Sequence, residues 1–161
     1  MLSHWSPYFA AVAGVFAALT GLVFVALSIN LKPILATQGL TGRALEAIVL
    51  LVEPVLIGLT GLLPAQSAPT LGAEVLVFAV VGCVAVNTIM VVGRRAVAQR
   101  PLRERIQRIL LAESAALVPG VAGALLAAGN TGGLYWLAAG IALCLVVSIT
   151  DAWVLLVEIM R

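Results

Sequence analysis

Five apolar segments, separated by short polar stretches, make up most of the chain. They cover about 7–31, 42–63, 71–93, 102–128 and 134–160. A helix needs about 20 mostly apolar residues to cross the hydrocarbon core of a bilayer, which is about 30 Å thick. Each segment reaches that length. The pattern therefore predicts an all-α integral membrane bundle of five transmembrane helices, which form a single domain over residues 1–161.

Prolines mark the ends and the interior of these predicted helices. Ser6 and Pro7 are expected as the N-cap and the first residue of the first helix, and Pro33 is expected to end it. This segment has no basic start and exceeds the roughly 7–15 apolar residues of a signal peptide, so it is predicted to span the membrane. Pro54 and Pro119 fall inside the second and fourth helices. Each predicts a kink, because proline has no N–H for the carbonyl four residues earlier.

The positive charges occupy alternate gaps between the apolar segments. The first gap, the third gap and the C-terminus hold every Lys and Arg, namely Lys32, Arg43, Arg94, Arg95, Arg100, Arg103, Arg105, Arg108 and Arg161. Cytoplasmic loops of multi-pass proteins are enriched in these residues, so the N-terminus is predicted outside and the C-terminus in the cytoplasm. Trp5, Tyr8, Tyr135 and Trp136 lie near the predicted outer helix ends, where aromatic residues are common.

Composition separates the chain from water-soluble proteins. Apolar residues make up 63% of the sequence and charged residues 10%, whereas soluble domains average about 45–50% and about 25%. The net charge of +2 comes from loop residues, so nucleic-acid binding is not predicted. The basic turn from Arg94 to Arg108 is expected to hold its loop in the cytoplasm beside anionic lipid. A docking patch for a cytoplasmic partner is the alternative.

Residue types that enzymes and metal sites need are scarce. His4 is the one histidine and lies in the N-terminal tail. Cys83 and Cys144 fall inside apolar segments without a CxxC motif or a nearby histidine, and are expected to pack as small core residues. The sequence has no HExxH motif and no phosphate-binding glycine loop. It therefore predicts a non-enzymatic protein with no cofactor and no metal site.

Polar side chains inside the apolar segments are the candidate functional residues. Glu53, Glu113 and Asp151 lie in the second, fourth and fifth predicted helices, and Asn87 of the third lies at an overlapping depth. An acidic side chain at a helix centre costs about 2.5–3.5 kcal/mol on insertion. Such residues often line ion or proton paths, so these four are candidates for ion or proton handling. Pro54 adds a free backbone carbonyl close to Glu53.

Two interpretations of these acids stay open. In the first, each is a protonated hydrogen-bond partner that holds helices together, worth about 0.6–2 kcal/mol. In the second, they line a path for a proton or a cation, since no Lys or Arg lies at similar depth to neutralise them. The spacing puts Glu46 and Glu53 on one face of the second helix, and Ser148 and Asp151 on one face of the fifth.

Small residues mark two helix faces that suit close packing. The first helix carries Ala10, Gly14, Ala17, Ala18, Gly21 and Ser28, and the fourth carries Pro119, Gly120, Gly123, Ala124, Ala127 and Ala128. Such faces let two helix backbones approach closely. Packing within the chain is expected, with a subunit interface as the alternative.

Two adjoining stretches resemble a known group of membrane proteins. They are AVAGVFAALTGLVFVALSINLKPIL (Ala11–Leu35) and GRALEAIVLLVEPVL (Gly42–Leu56). Together they are similar to small bacterial five-span proteins of unassigned role. Some relatives of this kind are labelled as modulators of the membrane protease FtsH. The resemblance covers about the first third of the chain and includes no catalytic motif. It implies a multi-pass protein of the bacterial cytoplasmic (inner) membrane and assigns no role to any residue.

The sequence leads to two functional hypotheses. The first is a cation or proton channel or transporter that uses intramembrane carboxylates. The second is a non-enzymatic scaffold or regulatory subunit that binds another membrane protein, for example a membrane protease complex. Both expect contact with the lipid bilayer and either a homo-oligomer or a membrane-protein partner, because five helices leave little room for a pore. Neither expects nucleic acid.

Overall fold

The computed structural model describes residues 2–37, 39–93 and 102–159. Its α-helices are α1 (Ser6–Ile29), α2 (Leu31–Ala36), α3 (Leu40–Gly61), α4 (Ala68–Val92), α5 (Leu102–Ala127) and α6 (Gly133–Ile159). All of these except the short α2 are long and apolar enough to cross a membrane. The prediction of a helical protein with five long apolar helices is therefore confirmed within the described residues. The side of the membrane that each end faces stays a prediction from the charge pattern.

The first helix begins differently from the prediction. A 3₁₀ turn over Leu2–Trp5 leads directly into α1, and Trp5 occupies the N-cap position without a side-chain hydrogen bond. Trp5 already has helical backbone angles, with φ −93° and ψ −7°. The prediction of Ser6 as the N-cap was therefore wrong, because Ser6 is the first residue of the helix. Pro7 follows in the first turn, where its missing N–H costs nothing.

The chain after α1 is helical where a loop was predicted. Asn30 ends α1, and α2 starts at Leu31 and includes Pro33. Pro33 was predicted to stop the first helix, which in fact stops at Ile29. A proline is tolerated in the first turn of a helix because no backbone N–H is needed there. Pro33 therefore belongs to the start of the next helix.

Helix α4 begins before the third apolar segment, to which it corresponds. Ser67 is its N-cap, and the Ser67 hydroxyl accepts a hydrogen bond from the backbone N–H of Thr70 at 3.2 Å. This bond satisfies one of the free donors at the helix start. The helix thus starts at Ala68 instead of the predicted residue 71, because polar capping residues extend it beyond its apolar core.

Four helices form a closed ring, and α1 lies outside it. Helix α3 packs against α4, α4 against α5, α5 against α6, and α6 against α3. Helix α1 packs against α3. Phe9, Leu50, Leu71 and Leu137 are among the fully buried side chains that fill these interfaces. Many other apolar side chains stay exposed on the outer surface, which suits contact with lipid.

Glycines allow two of these helix pairs to approach closely. A Cβ atom at Gly58 of α3 would lie 2.9 Å from the carbonyl oxygen of Phe9 on α1. A Cβ atom at Gly123 of α5 would lie 2.9 Å from the carbonyl oxygen of Gly72 on α4. Side chains at these positions would collide with backbone. The small residues of the fourth predicted helix therefore include one at an interface within the chain, as expected.

The small residues of α1, in contrast, lie on its outer surface. Those exposed are Ala10, Gly14, Ala17, Ala18, Gly21 and Ser28. Among the described residues, nothing lies within 4 Å of a Cβ atom built at Gly14 or Gly21. The expectation that this face packs within the chain was wrong. Helix α1 is buried along a different face, which carries Phe9, Val12, Ala13 and Phe16.

Aromatic rings join the start of α1 to the start of α6. The Trp5 and Tyr8 ring centroids lie 5.6 Å apart, and those of Trp5 and Tyr135 lie 5.3 Å apart. Both pairs are close to perpendicular, which is a favourable arrangement of ring quadrupoles. The two helix starts therefore lie at the same end of the bundle, as the predicted topology requires.

Candidate functional site

Glu53 is buried in the bundle and has no hydrogen-bond partner among the described residues. Its side chain on α3 is 4% exposed. Neither carboxyl oxygen has a hydrogen-bond partner within the described residues. Buried polar groups are nearly always hydrogen-bonded, because burial removes water and leaves an unpaired group at a higher free energy. Packing alone therefore does not explain this carboxyl group.

The Glu53 carboxyl group points at the backbone of α4. A Cβ atom built at Gly82 would lie 2.7 Å from Oε2 of Glu53 and 3.4 Å from its Cδ. Gly82 is itself buried. The carboxyl group thus occupies the space that any side chain at position 82 would take. Glu53 and Gly82 are therefore in contact across the interface between α3 and α4.

Cys144 lies on the α6 side of the same region. Its side chain is fully buried, and the Glu53 carboxyl group is near enough to interact with it electrostatically. The thiol donates a hydrogen bond to the carbonyl oxygen of Ala115 on α5, with Sγ and O 3.3 Å apart. Ala115 is four residues before Pro119, which has no N–H to offer that carbonyl. The Cys144 thiol therefore replaces a helical donor and does not donate a hydrogen bond to Glu53.

Pro54 places a second acceptor close to Glu53. It lies inside α3 and is fully buried, as is Leu50. The backbone of Pro54 cannot donate to the carbonyl of Leu50, four residues earlier. Leu50 and Glu53 are three residues apart and so share a face of α3, and helical side chains lean toward the preceding turn. Helix α3 thus presents a carboxyl group and a carbonyl without its helical donor one turn apart.

Further polar side chains are buried toward the predicted cytoplasmic end. Glu46 lies two turns before Glu53 on the same face of α3 and is fully buried. On α6, Ser148 is 1% exposed and Asp151 is 6% exposed. The Ser148 hydroxyl donates to the carbonyl oxygen of Cys144 at 2.6 Å. Glu46 and Asp151 both have interaction partners. Glu53 is distinguished by the absence of a hydrogen-bond partner for either carboxyl oxygen among the described residues.

A groove reaches this polar region from the bundle surface. It runs between α1, α3 and α6, and Leu19, Leu51, Ser148 and Trp153 are among its lining residues. Its walls are mostly apolar, and Ser148 contributes a hydroxyl group to them. The groove opens on the side of the ring that α1 covers in part.

Two of the predicted candidates are not buried. Asn87 is exposed on α4, and its side-chain nitrogen donates to the carbonyl oxygen of Cys83 on its own helix at 3.0 Å. Glu113 is half-buried on α5. The structure thus buries Glu53 and Asp151 and leaves Glu113 and Asn87 partly or fully exposed.

The predicted basic turn falls mostly outside the described residues. Arg94, Arg95 and Arg100 belong to the part of the chain that the structure does not describe, as do the side chains of Arg105 and Arg108. Arg103 is exposed. The predicted role of this turn therefore stays a prediction.

The candidate site includes residues that the sequence did not single out. Gly82 and Cys144 looked like ordinary small residues of apolar segments, and tertiary contacts alone identify them. Glu46 had a signal, because it recurs seven residues before Glu53. It lies four residues after the predicted start of the second helix, nearer the membrane surface than Glu53.

The arrangement is suited to binding a proton. Among the described residues, no group of three or more His, Cys, Asp and Glu side chains could hold a metal ion. A buried carboxyl group without a partner can still gain or lose a proton, which changes its charge and its interactions.

Comparison with protein-family models, curated proteins and solved structures gives no match for this chain.

Proposed function

We propose that this chain is a multi-pass membrane protein that moves protons, with Glu53 as the group that takes them up and releases them. The observation behind the proposal is a carboxyl group that is 4% exposed and has no hydrogen-bond partner among the described residues. An acid kept as structural glue would be hydrogen-bonded to a neighbouring helix. Ionisable residues inside a membrane commonly serve ion or proton paths.

A proton suits this group better than a divalent metal cation does. Ca²⁺ takes about 6–8 oxygen ligands and Mg²⁺ about 6. Glu53 offers two oxygens, and Pro54 frees one more at the Leu50 carbonyl. A proton needs a single acceptor. The number of oxygens available at Glu53 therefore favours a proton over Ca²⁺ or Mg²⁺.

The buried polar groups near Glu53 supply the proposed route. Glu46 lies on α3, and Ser148 and Asp151 lie on α6, which packs against α3. We place these groups between Glu53 and the cytoplasm, with the N-terminus outside. The chain would act in the bacterial cytoplasmic (inner) membrane, alone or as an oligomer.

Proton flux into proteoliposomes tests this proposal. Vesicles that contain the purified protein and an internal pH dye receive a potassium gradient with valinomycin, so that the membrane potential drives protons inward. Glu53→Gln is expected to abolish the protein-dependent flux, and Glu53→Asp to retain part of it. Asn87→Ala is the matched control, because Asn87 is exposed and bonded to its own helix. Equal flux in the natural protein and in Glu53→Gln would refute the proposal.

The uncovered face of α1 favours a second candidate, a non-enzymatic scaffold or regulatory subunit. Gly14 and Gly21 have open space around them among the described residues. Small residues of this kind let another helix approach closely. The partner would be a second copy or another membrane protein, such as a membrane protease complex. Oxidative crosslinking of a Gly14→Cys variant in native membranes tests it, and the absence of any crosslinked species would count against this function.

A further inference from the structure

We propose that Gly82 is the positioning residue of the proton site, because its missing side chain gives the Glu53 carboxyl group its place between α3 and α4. This inference rests on the proposed function for its importance to transport. The position of the carboxyl group can, however, be measured independently of any flux. Gly82 acts through Glu53 and does not itself carry a proton.

The geometry of the contact is tight. A Cβ atom at position 82 would lie 2.7 Å from Oε2 of Glu53, and real Cβ atoms essentially never lie under 3.0 Å from another heavy atom. Glu53 and Gly82 are both buried. An alanine at position 82 therefore cannot coexist with the carboxyl group where it now lies.

The atom that must give way distinguishes Gly82 from the other packed glycines. At Gly58 and Gly123 the nearest atoms include backbone atoms of the facing helix, so a side chain there would push two helices apart. At Gly82 the three nearest atoms all belong to the carboxyl end of Glu53. That end moves by rotation about side-chain bonds, at a cost that is small beside helix separation. A Gly82→Ala change is therefore expected to displace the carboxyl group and to leave the helices in place.

Infrared spectroscopy measures this displacement directly. With ¹³C-labelled glutamate, the band that disappears in Glu53→Gln identifies the Glu53 carboxylic acid. The band is expected at the high-frequency end of the carboxylic acid range, because its C=O group has no hydrogen-bond partner. Gly82→Ala is expected to shift it. Gly120→Ala is the matched control, since a Cβ atom there would meet Ala79 at an ordinary 3.5 Å, and it is expected to leave the band unchanged.

Proton flux completes the test. Gly82→Ala is expected to lower the flux by about tenfold, which corresponds to about 1.4 kcal/mol in the barrier, while Gly120→Ala keeps it. An unshifted band in Gly82→Ala would overturn the inference even if Glu53 carries protons. A shifted band together with full flux in Glu53→Gln would uphold the position of Gly82 and refute the proposed function instead.

A second variant tests the same contact even if Gly82→Ala alone destabilises the fold. Glu53→Asp shortens the acid by one methylene group and withdraws it from α4. The double variant Gly82→Ala with Glu53→Asp is therefore expected to unfold at the temperature of Glu53→Asp alone, because the collision is relieved. If the double variant is still destabilised by the full cost of Gly82→Ala, the carboxyl group is not what the alanine meets, and the inference fails.

Discussion

The thiol of Cys144 donates a hydrogen bond to the carbonyl oxygen of Ala115, across the interface between α6 and α5 and over 3.3 Å. Pro119, four residues after Ala115 in α5, has no N–H for this carbonyl. Both Ala115 and Cys144 are fully buried. A proline inside a membrane helix is thus tolerated because a neighbouring helix supplies the missing donor.

The pairing predicts a coupling between positions 119 and 144. Cys144→Ala is expected to destabilise the protein by about 0.5–1 kcal/mol, the usual range for an interhelical hydrogen bond in a membrane protein. Pro119→Ala restores a backbone N–H for the Ala115 carbonyl, so Cys144→Ala should cost less in that background. Unfolding by sodium dodecyl sulfate in mixed micelles, followed by tryptophan fluorescence, measures both costs. Equal costs in the two backgrounds would contradict the assigned role of the thiol.

Glu53 is predicted to lower stability in its natural position. A buried polar group without a partner costs about 1–3 kcal/mol, and methionine fills a similar volume without that penalty. Glu53→Met is therefore expected to raise the free energy of unfolding by a similar amount, and to remove proton flux. The same micelle titration measures the change.

Glu46→Met is the matched control for that experiment. Glu46 lies on the same face of α3 and is also fully buried, but it has an interaction partner. Its replacement breaks that interaction, so the free energy of unfolding is expected to fall. If the free energy of unfolding rises at position 53 and falls at position 46, the natural Glu53 side chain destabilises the fold. A loss of stability at both positions would indicate that Glu53 contributes structurally.

Hydrophobic segments predicted the helices well because a membrane span has a simple physical requirement of length and apolar character. The five long helices lie close to the predicted apolar segments. The residues that cap or end them were predicted less well. Ser6 and Pro33 were misassigned, and the cap at Ser67 was missed. These errors arise where a few local hydrogen bonds, not the apolar pattern, determine the helix end.

The candidate site was predicted in part. Glu53 and Asp151 stood out because a membrane should reject them, and both are buried. Asn87 looked equivalent by depth, yet it lies on an exposed face of α4. The depth of a residue in the membrane follows from its position along the helix. Whether its side chain is buried or exposed depends on which helices pack against that face, and the sequence does not show this. Gly82 gave no signal for the same reason, since its importance comes from the helix opposite.

The contact between α1 and α3 is predicted to depend on one glycine. A side chain at Gly58 would meet the backbone of Phe9 and Ala13 at about 2.9 Å, and backbone cannot rotate away. Gly58→Leu is therefore expected to separate α1 from the ring. Disulfide crosslinking between cysteines placed at Leu19 and Leu51, which line the same groove between α1 and α3, measures this. Crosslinking is expected in the natural background and is expected to be lost in the variant.

Gly14→Leu is the control for this separation. Among the described residues, nothing lies within 4 Å of a Cβ atom at Gly14, so crosslinking between α1 and α3 is expected to persist. If Gly14→Leu also prevents it, α1 does not have the orientation described. If Gly14→Leu instead removes association with another protein, the scaffold function gains support.

The orientation of the bundle is predicted from charge and can be tested from both sides of the membrane. Ser3 and Asn130 are exposed near the end where Trp5 meets Tyr135, and Thr37 is exposed after α2. Lys and Arg favour the cytoplasmic side, so Ser3→Cys and Asn130→Cys are expected to react with a membrane-impermeant maleimide in intact spheroplasts. Thr37→Cys is expected to react after lysis alone. The reverse pattern would invert the topology and move the buried acids Glu46 and Asp151 to the outer half of the membrane.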